Sequence, residues 1–458
     1  MRDLPPDVAV QLERSRKDAI RAKREGVLLI RRPLRREEEP RSYIGGLPCL
    51  REDLDWPVST RTGLPLSFIA QIDLRDVPRP RGVFFPADGL LWFFADFSEE
   101  QFIDDRHTRV LFDAHPLVVA REREAPANLP TLWPPGHDQY GWLKAQHPRA
   151  FVEPKAGLSL HLFDTFYDLP YKPQASWLDF IRHMATPKAN RVHEFDELKF
   201  FGPGVFMGMI DELREDAVHR AIGLRRTEGG YWFEPRSGFG EAQWPATSID
   251  AEYALMSLAS DYRFYTGLKD HPCPAEVVTD LGARLQDQIK MLRSLGPRPL
   301  AEAERISIIA VIEKVRHGFA RFDHQRNRGH CKGIRDCLRR SHREVRSAVE
   351  KSYPHAVFDI LRTMPAAEEY VSVEQLHPYQ ELMLGGQMHF HQMFGHGSSS
   401  QDAPQRAEEE GYVLLLQIGG SSTLGLPLNV DAVIHYWIPK RDLALGRFDR
   451  VEATWESG

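Results

Sequence analysis

Residues 63–78 read GLPLSFIAQIDLRDVP, and residues 89–97 read GLLWFFADF. Each is an apolar run bounded by Gly, Pro or Asp, the pattern of a buried β-strand between turns. The same two textures return late in the chain, as YVLLLQIGG at 412–420 and AVIHYWI at 432–438. The first member of each pair carries one glutamine between apolar neighbours, Gln71 and Gln417. The second member is aromatic, with Trp92 and Trp437. This reads either as one strand–loop–strand unit used twice or as the likeness that any buried strands share. VLFDAHPLVVA (110–120) and GLSLHLFDTFYDL (157–169) extend the β texture.

Between these β-rich ends the period changes. SWLDFIRHMAT (176–186), SIDAEYALMSLASDYRFYTGL (248–268), AEVVTDLGARLQDQIKMLRSLG (275–296) and AEAERISIIAVIEKVRHGFARF (301–322) carry apolar residues three and four apart. They read as amphipathic helices, and SVEQLHPYQELMLGG (372–386) closes the helical region. Residues 6–26 also read as a helix, with Gly26 as its stop, and the following LLIRRPLRREEEPR as a solvated connector. The expected fold class is α+β. A domain of mainly antiparallel strands is built from both ends of the chain and interrupted by a helical insertion. The expected divisions are 1–41 (helix and connector), 42–173 (first half), 174–377 (insertion) and 378–458 (second half).

Composition excludes several classes. The chain has 458 residues, 42% hydrophobic and 27% charged, as in globular proteins of more than one domain. No stretch approaches the roughly 18 apolar residues of a membrane span. The N-terminus is rich in charge and lacks the apolar segment of a secretory signal. Four scattered cysteines, Cys49, Cys273, Cys331 and Cys337, indicate a reducing compartment, and a bacterial-type cytoplasm is the expected location. The net charge of −6 favours solubility and says little about partners.

Several motifs occur in one order: IGGLPCL (44–50), DWPVS (55–59), GLPLSFIAQIDLRDVP, GLLWFFAD, then YVLLLQIGG, VIHYWIPKRDL and FDRVEATWES. In this order they resemble the YwqG-like family, a bacterial domain of unknown function, over roughly 42–170 and 380–456. The resemblance implies antiparallel strands and an intracellular partner protein, for instance a toxin-neutralising immunity protein. It implies little chemistry. Two features depart from the family. About 200 helical residues split the domain, and the loops before the last strands read GGQMHFHQ and GGSSTLGLPLNVDA.

Three groups of residues are candidates for function. The first is GGQMHFHQMFGHG (385–397). A strand over 387–394 places His389 and His391 on one face, roughly 6.5–7 Å apart by rise per residue, where their rings can share a divalent metal with His396. A half-buried structural strand is the alternative. The second is the segment 328–347. Arg328, Lys332, Arg335, Arg339, Arg343 and Arg346 recur at helical spacing within a stripe about 80° wide. Residues 313–346 hold 11 Lys and Arg against four Asp and Glu. This basic stripe is either solvated or a docking face for an acidic protein, with nucleic acid less favoured because aromatic residues do not interleave it. Its His330, Cys331, Cys337 and His342 lack zinc spacing. The third group is Gln71, Gln417 and Trp92, expected beside a cleft between the β domain and the insertion.

No nucleophile elbow, phosphate-binding Gly-rich loop or Rossmann fingerprint is present. The function expected is therefore a non-enzymatic binding protein acting by protein–protein contact, an immunity or adaptor protein, with no cofactor. The alternative is a metal-dependent enzyme using the His-x-His pair.

Overall fold

A computed structural model gives the architecture. It describes residues 6–32, 34, 38–97, 107–114, 122–132, 155–166, most of 209–221, 245–266, 275–326, 356, 360, 364, 389–398, 403–420, 426–428 and 431–457. The strands, in chain order, are β1 (Arg24–Arg32), β2 (Tyr43–Ile44), β3 (Ser67–Asp73), β4 (Leu90–Ala95), β5 (Thr108–Asp113), β6 (Ala156–Thr165), β7 (Gln392–Phe394), β8 (Tyr412–Gly419), β9 (Val433–Pro439) and β10 (Glu452–Glu456). They form one sheet in the order β10-β9-β8-β7-β1-β6-β2-β3-β4-β5. Every pairing is antiparallel.

The order reads alike from either side of the central β1–β6 pair. On one wing lie β2, β3, β4 and β5, and on the other β7, β8, β9 and β10. The register carries the same symmetry. The β3–β4 ladder is irregular between Phe68 and Ala70, and the β8–β9 ladder between Leu414 and Leu416. Each bulge precedes its glutamine, Gln71 or Gln417, by the same offset. The strand–loop–strand unit seen twice in the sequence is thus a pseudo-twofold repeat in space.

The sheet is nearly closed, because the wings curl towards each other. The Phe93 ring on β4 meets Tyr436 on β9 edge-on at 5.1 Å, and the Tyr436 hydroxyl donates to the Phe94 carbonyl at 3.1 Å. Alternation sorts the side chains. Val27, Leu29, Ile44, Leu91, Phe93, Met393, Ile434 and Tyr436 fill one core. The opposite face carries two smaller clusters. Tyr43, Phe68, Trp92 and Phe94 make one. Leu28, Ile30 and Phe163 pack with Leu12 and Ala19 of helix α1 (Pro6–Ala22), and with helical residues near 209–218, to make the other.

The mid-chain helices expected from periodicity are present as α2 (Ser248–Thr266), α3 (Ala275–Leu295) and α4 (Glu302–Arg326). Helix α2 begins with a capping box: the buried Asp250 carboxylate accepts the Ala246 and Thr247 amides and the Thr247 hydroxyl. Burial pushes the Asp250 carboxyl up to about 6. A short helix, α5 (Ala403–Glu409), precedes β8.

Two local expectations are corrected. The stretch read as a connector after Gly26 instead supplies β1, a central strand whose residues from Val27 to Arg31 are all buried. The Val-Leu-Leu-Ile run has both faces covered, and burying four such side chains is worth about 6–12 kcal/mol before the cost of ordering them. Of the strand expected over 387–394, the described residues show strand at Gln392–Phe394 and none at His389–His391, while 387 and 388 lie outside the described residues. The backbone there crosses the end of β8: a Cβ on Gly419 would fall 1.8 Å from the His389 carbonyl oxygen. The segments 176–186, 328–346 and 372–388 lie outside the described residues.

Candidate functional site

The glutamines explain the local design. Gln71 is buried on β3 beside Tyr43 on β2 and Trp92 on β4. Its Oε1 accepts from Trp92 Nε1 (2.8 Å), Tyr43 Oη (3.0 Å) and the Cys49 amide (3.1 Å). Its Nε2 donates to the Arg41 carbonyl at 2.9 Å. One side chain thereby pins the loop 45–49 to the sheet.

Gln417 does the same in the other wing. Its Oε1 accepts the Ser398 amide at 2.9 Å, and its Nε2 donates to the Phe390 carbonyl (2.7 Å) and to Ser398 Oγ (2.8 Å). The offsets match residue for residue. Cys49 follows Tyr43 as Ser398 follows Gln392, and Arg41 precedes Tyr43 as Phe390 precedes Gln392. The Tyr43 hydroxyl shares its one proton between Gln71 Oε1 and the Leu47 carbonyl, and Gln392 Nε2 donates to the corresponding His396 carbonyl. Gly45 and Gly46 have φ of 74° and 70°, and their counterparts Phe394 and Gly395 have 59° and 71°. Phe394 is a non-glycine residue in the left-handed region, held there by stacking on Phe85 at 4.9 Å in a fully buried position.

The wings differ in chemistry. Where the first has Leu47 and Trp92, the second has His396 and His435, and His389 and His391 lie close by. Because Gln417 Nε2 donates to Ser398 Oγ, the hydroxyl proton is left for His389 Nδ1, 2.8 Å away. Burial, with the charges of His435 and Arg214, lowers His389 to about 4, so the ring is neutral. His391 Nδ1 accepts the Gly419 amide at 3.2 Å, which leaves the ring proton on Nε2, a buried atom with no partner among the described residues. Burial and the Arg31 charge lower it to about 3. His435 donates from Nε2 to the Ser398 carbonyl (2.9 Å), and its Nδ1 faces Thr454 Oγ1, which accepts from Trp437 Nε1.

His396 binds two acceptors. Its Nδ1 lies 3.0 Å and 3.1 Å from the two Glu408 oxygens, and its Nε2 lies 2.9 Å from the Ala22 carbonyl, the last residue of α1. Arg24 also reaches Glu408 at 2.9 Å, and the His396 amide donates to Thr165 Oγ1. His396 therefore fastens α1, β1, β6 and α5 together.

The three histidines proposed for a metal thus have their ring atoms in three different settings. The Nδ1 lone pairs of His389 and His391 already accept hydrogen bonds. Among the described residues, no group of three or more His, Cys, Asp or Glu is arranged to hold a metal ion. Gln71 and Trp92 sit together in one network and Gln417 in the other, all buried. The six basic residues from Arg328 to Arg346 lie outside the described residues. Sequence reasoning missed Cys49, Ser398, His435, Glu408 and Thr165. The signal for the first two was available: YIGGLPC (43–49) and QMFGHGS (392–398) share one glycine and one spacing relative to their strands.

Among the described residues, no helix is long and apolar enough to cross a membrane. A family model described as "Domain of unknown function (DUF1963)" matches residues 42–166 and 319–457, more than half of the chain. No curated protein matches the chain.

Proposed function

The chain belongs to the family described as a domain of unknown function, DUF1963, and on that footing we propose that it is a non-enzymatic binding protein acting by protein–protein contact. One observation carries the reading. The polar side chains that looked most like a site, Gln71, Gln417 and their neighbours, are consumed in two matching hydrogen-bond networks that hold loops to the sheet. A device repeated in both wings belongs to the fold. The recognition surface is then sought elsewhere, and the basic stripe from Arg328 to Arg346 is the strongest candidate in the sequence. Such a stripe suits an acidic protein partner, with nucleic acid second.

Within DUF1963 we place the chain with the YwqG-like domains, on the motif order IGGLPCL, DWPVS, GLPLSFIAQIDL and GLLWFFAD. We assign it to a bacterial cytoplasm, as an immunity or adaptor protein. The metal-dependent alternative, at His389, His391 and His396, is weakened by the amide and hydroxyl hydrogen bonds on the first two rings.

The test is affinity capture by the full chain beside an Arg335→Glu/Arg339→Glu/Arg343→Glu variant at moderate salt, followed by titration of the captured acidic protein. Loss of binding in the variant with unchanged thermal stability is the expected result. Unchanged binding rejects the stripe as the docking face. Near-stoichiometric metal in the purified protein that disappears in a His389→Ala/His391→Ala variant would favour the enzyme reading instead.

A further inference from the structure

Strand β1 stands apart from the rest of the sheet. Its neighbours β6 and β7 both lie inside the family match, whereas residues 24–32 lie outside it. The pseudo-twofold axis makes the same distinction. β6 completes the wing of β2–β5 and follows it in the chain. Its symmetry mate β1 completes the wing of β7–β10 but comes from the opposite end of the sequence. β1 therefore occupies a slot between two strands as a separately supplied element.

That slot reads its occupant closely. All nine residues, Arg24 through Arg32, pair with β6, and Gly26, Val27 and Leu28 also pair with β7. Val27 and Leu29 enter one core and Leu28 and Ile30 the other, so both faces demand apolar side chains. At Gly26 a Cβ would lie 3.0 Å from the Phe394 carbonyl oxygen and 3.0 Å from Thr165 Cγ2, so the position admits glycine best. The leading charges are matched as well. Arg24 meets Glu408 at 2.9 Å, and Glu25 accepts the Arg81 amide at 2.9 Å.

We infer that the cleft between β6 and β7 is a strand-acceptor site. Its ligand is an extended Arg-Glu-Gly segment followed by four apolar residues, and residues 24–32 of a second copy of this chain can supply it in place of the chain's own. Strand addition of this kind draws affinity from main-chain hydrogen bonds and specificity from side-chain pockets. Exchange of one element between identical copies needs no new contact, only a connector able to redirect the segment. The inference is independent of the arginine stripe.

The test uses the full chain with a protease site inserted between Arg36 and Glu37 and cut after folding. A fluorescent peptide of residues 24–32 stands for the segment of a second copy. The expected result is that the cut protein stays in one piece until excess peptide displaces its own fragment, with a Gly26→Val peptide at least about tenfold weaker, the factor produced by 1.4 kcal/mol. Failure of the peptide to displace the fragment overturns the site, as does equal binding of the Gly26→Val peptide or unfolding on cutting. The uncut chain refolded at high concentration should give a dimer by light scattering. A monomer at every concentration, with peptide exchange intact, overturns the second copy as donor.

Discussion

Replacing Gln417 with leucine tests whether the glutamine networks hold the fold. The shapes are close, so the change removes hydrogen bonds with little change in volume. Three bonds disappear: from the Ser398 amide at 2.9 Å, to the Phe390 carbonyl at 2.7 Å and to Ser398 Oγ at 2.8 Å. Ser398 Oγ keeps His389 as a partner, which leaves two backbone groups stranded around a fully buried side chain. A buried group left unsatisfied costs about 1–3 kcal/mol, so Gln417→Leu should destabilise the protein by about 2–6 kcal/mol. That is a large part of a typical domain's 5–15 kcal/mol or so. Gln71→Leu strands the Cys49 amide, the Arg41 carbonyl and Trp92 Nε1, and should cost at least as much. Guanidinium denaturation followed by tryptophan fluorescence, with the slope held common, gives the difference. A loss below about 1 kcal/mol in both variants, smaller than one stranded group, would refute the clamp. A loss of partner binding without a loss of stability would turn Gln417 back into a site residue.

Gly419→Ala should be more severe than its single methyl suggests. Its Cβ would lie 1.8 Å from the His389 carbonyl oxygen, so backbone must move, and a fall in soluble yield and melting temperature is the readout. Stability should also fall on acidification. His389 is held at about 4 against about 6.5 in an unfolded chain. The unfolded state then binds more protons, and stability present above pH of about 6.5 is lost as pH falls towards 4, up to about 3 kcal/mol from this group. His389→Gln should flatten the decline between those values in denaturation measured across pH. An unchanged slope would mean that His389 is already solvated.

The sequence showed the sheet better than its centre. Strands β3, β4, β8 and β9 were legible because each is an apolar run between breakers, and the paired glutamines were visible because a lone amide in such a run needs partners. β1 was hidden by what surrounds it. Gly26 reads as a helix stop, whereas here it allows close approach of β7, and the Arg-Arg and Glu-Glu-Glu that follow suggest solvent. The site was legible only in part. Cys49 holds Gln71 through its backbone amide, which carries no residue signature. Ser398 adds a hydroxyl whose partners Gln417 and His389 lie far from it or on another turn of chain, and the role of His396 depends on Glu408 and on the end of α1, which no local spacing reveals.

The placement of β1 also sets an order of events on the ribosome. Its pairing with β6 becomes available once Thr165 has emerged, but its other edge waits for Gln392–Phe394. At ordinary rates of about 5–20 residues per second, that interval lasts roughly 10–45 s. Throughout it, a strand edge carrying four consecutive aliphatic residues stands open on the nascent chain, a template for wrong pairing. The helical region is translated during this wait, so lengthening it prolongs the hazard without touching a single contact of the finished sheet.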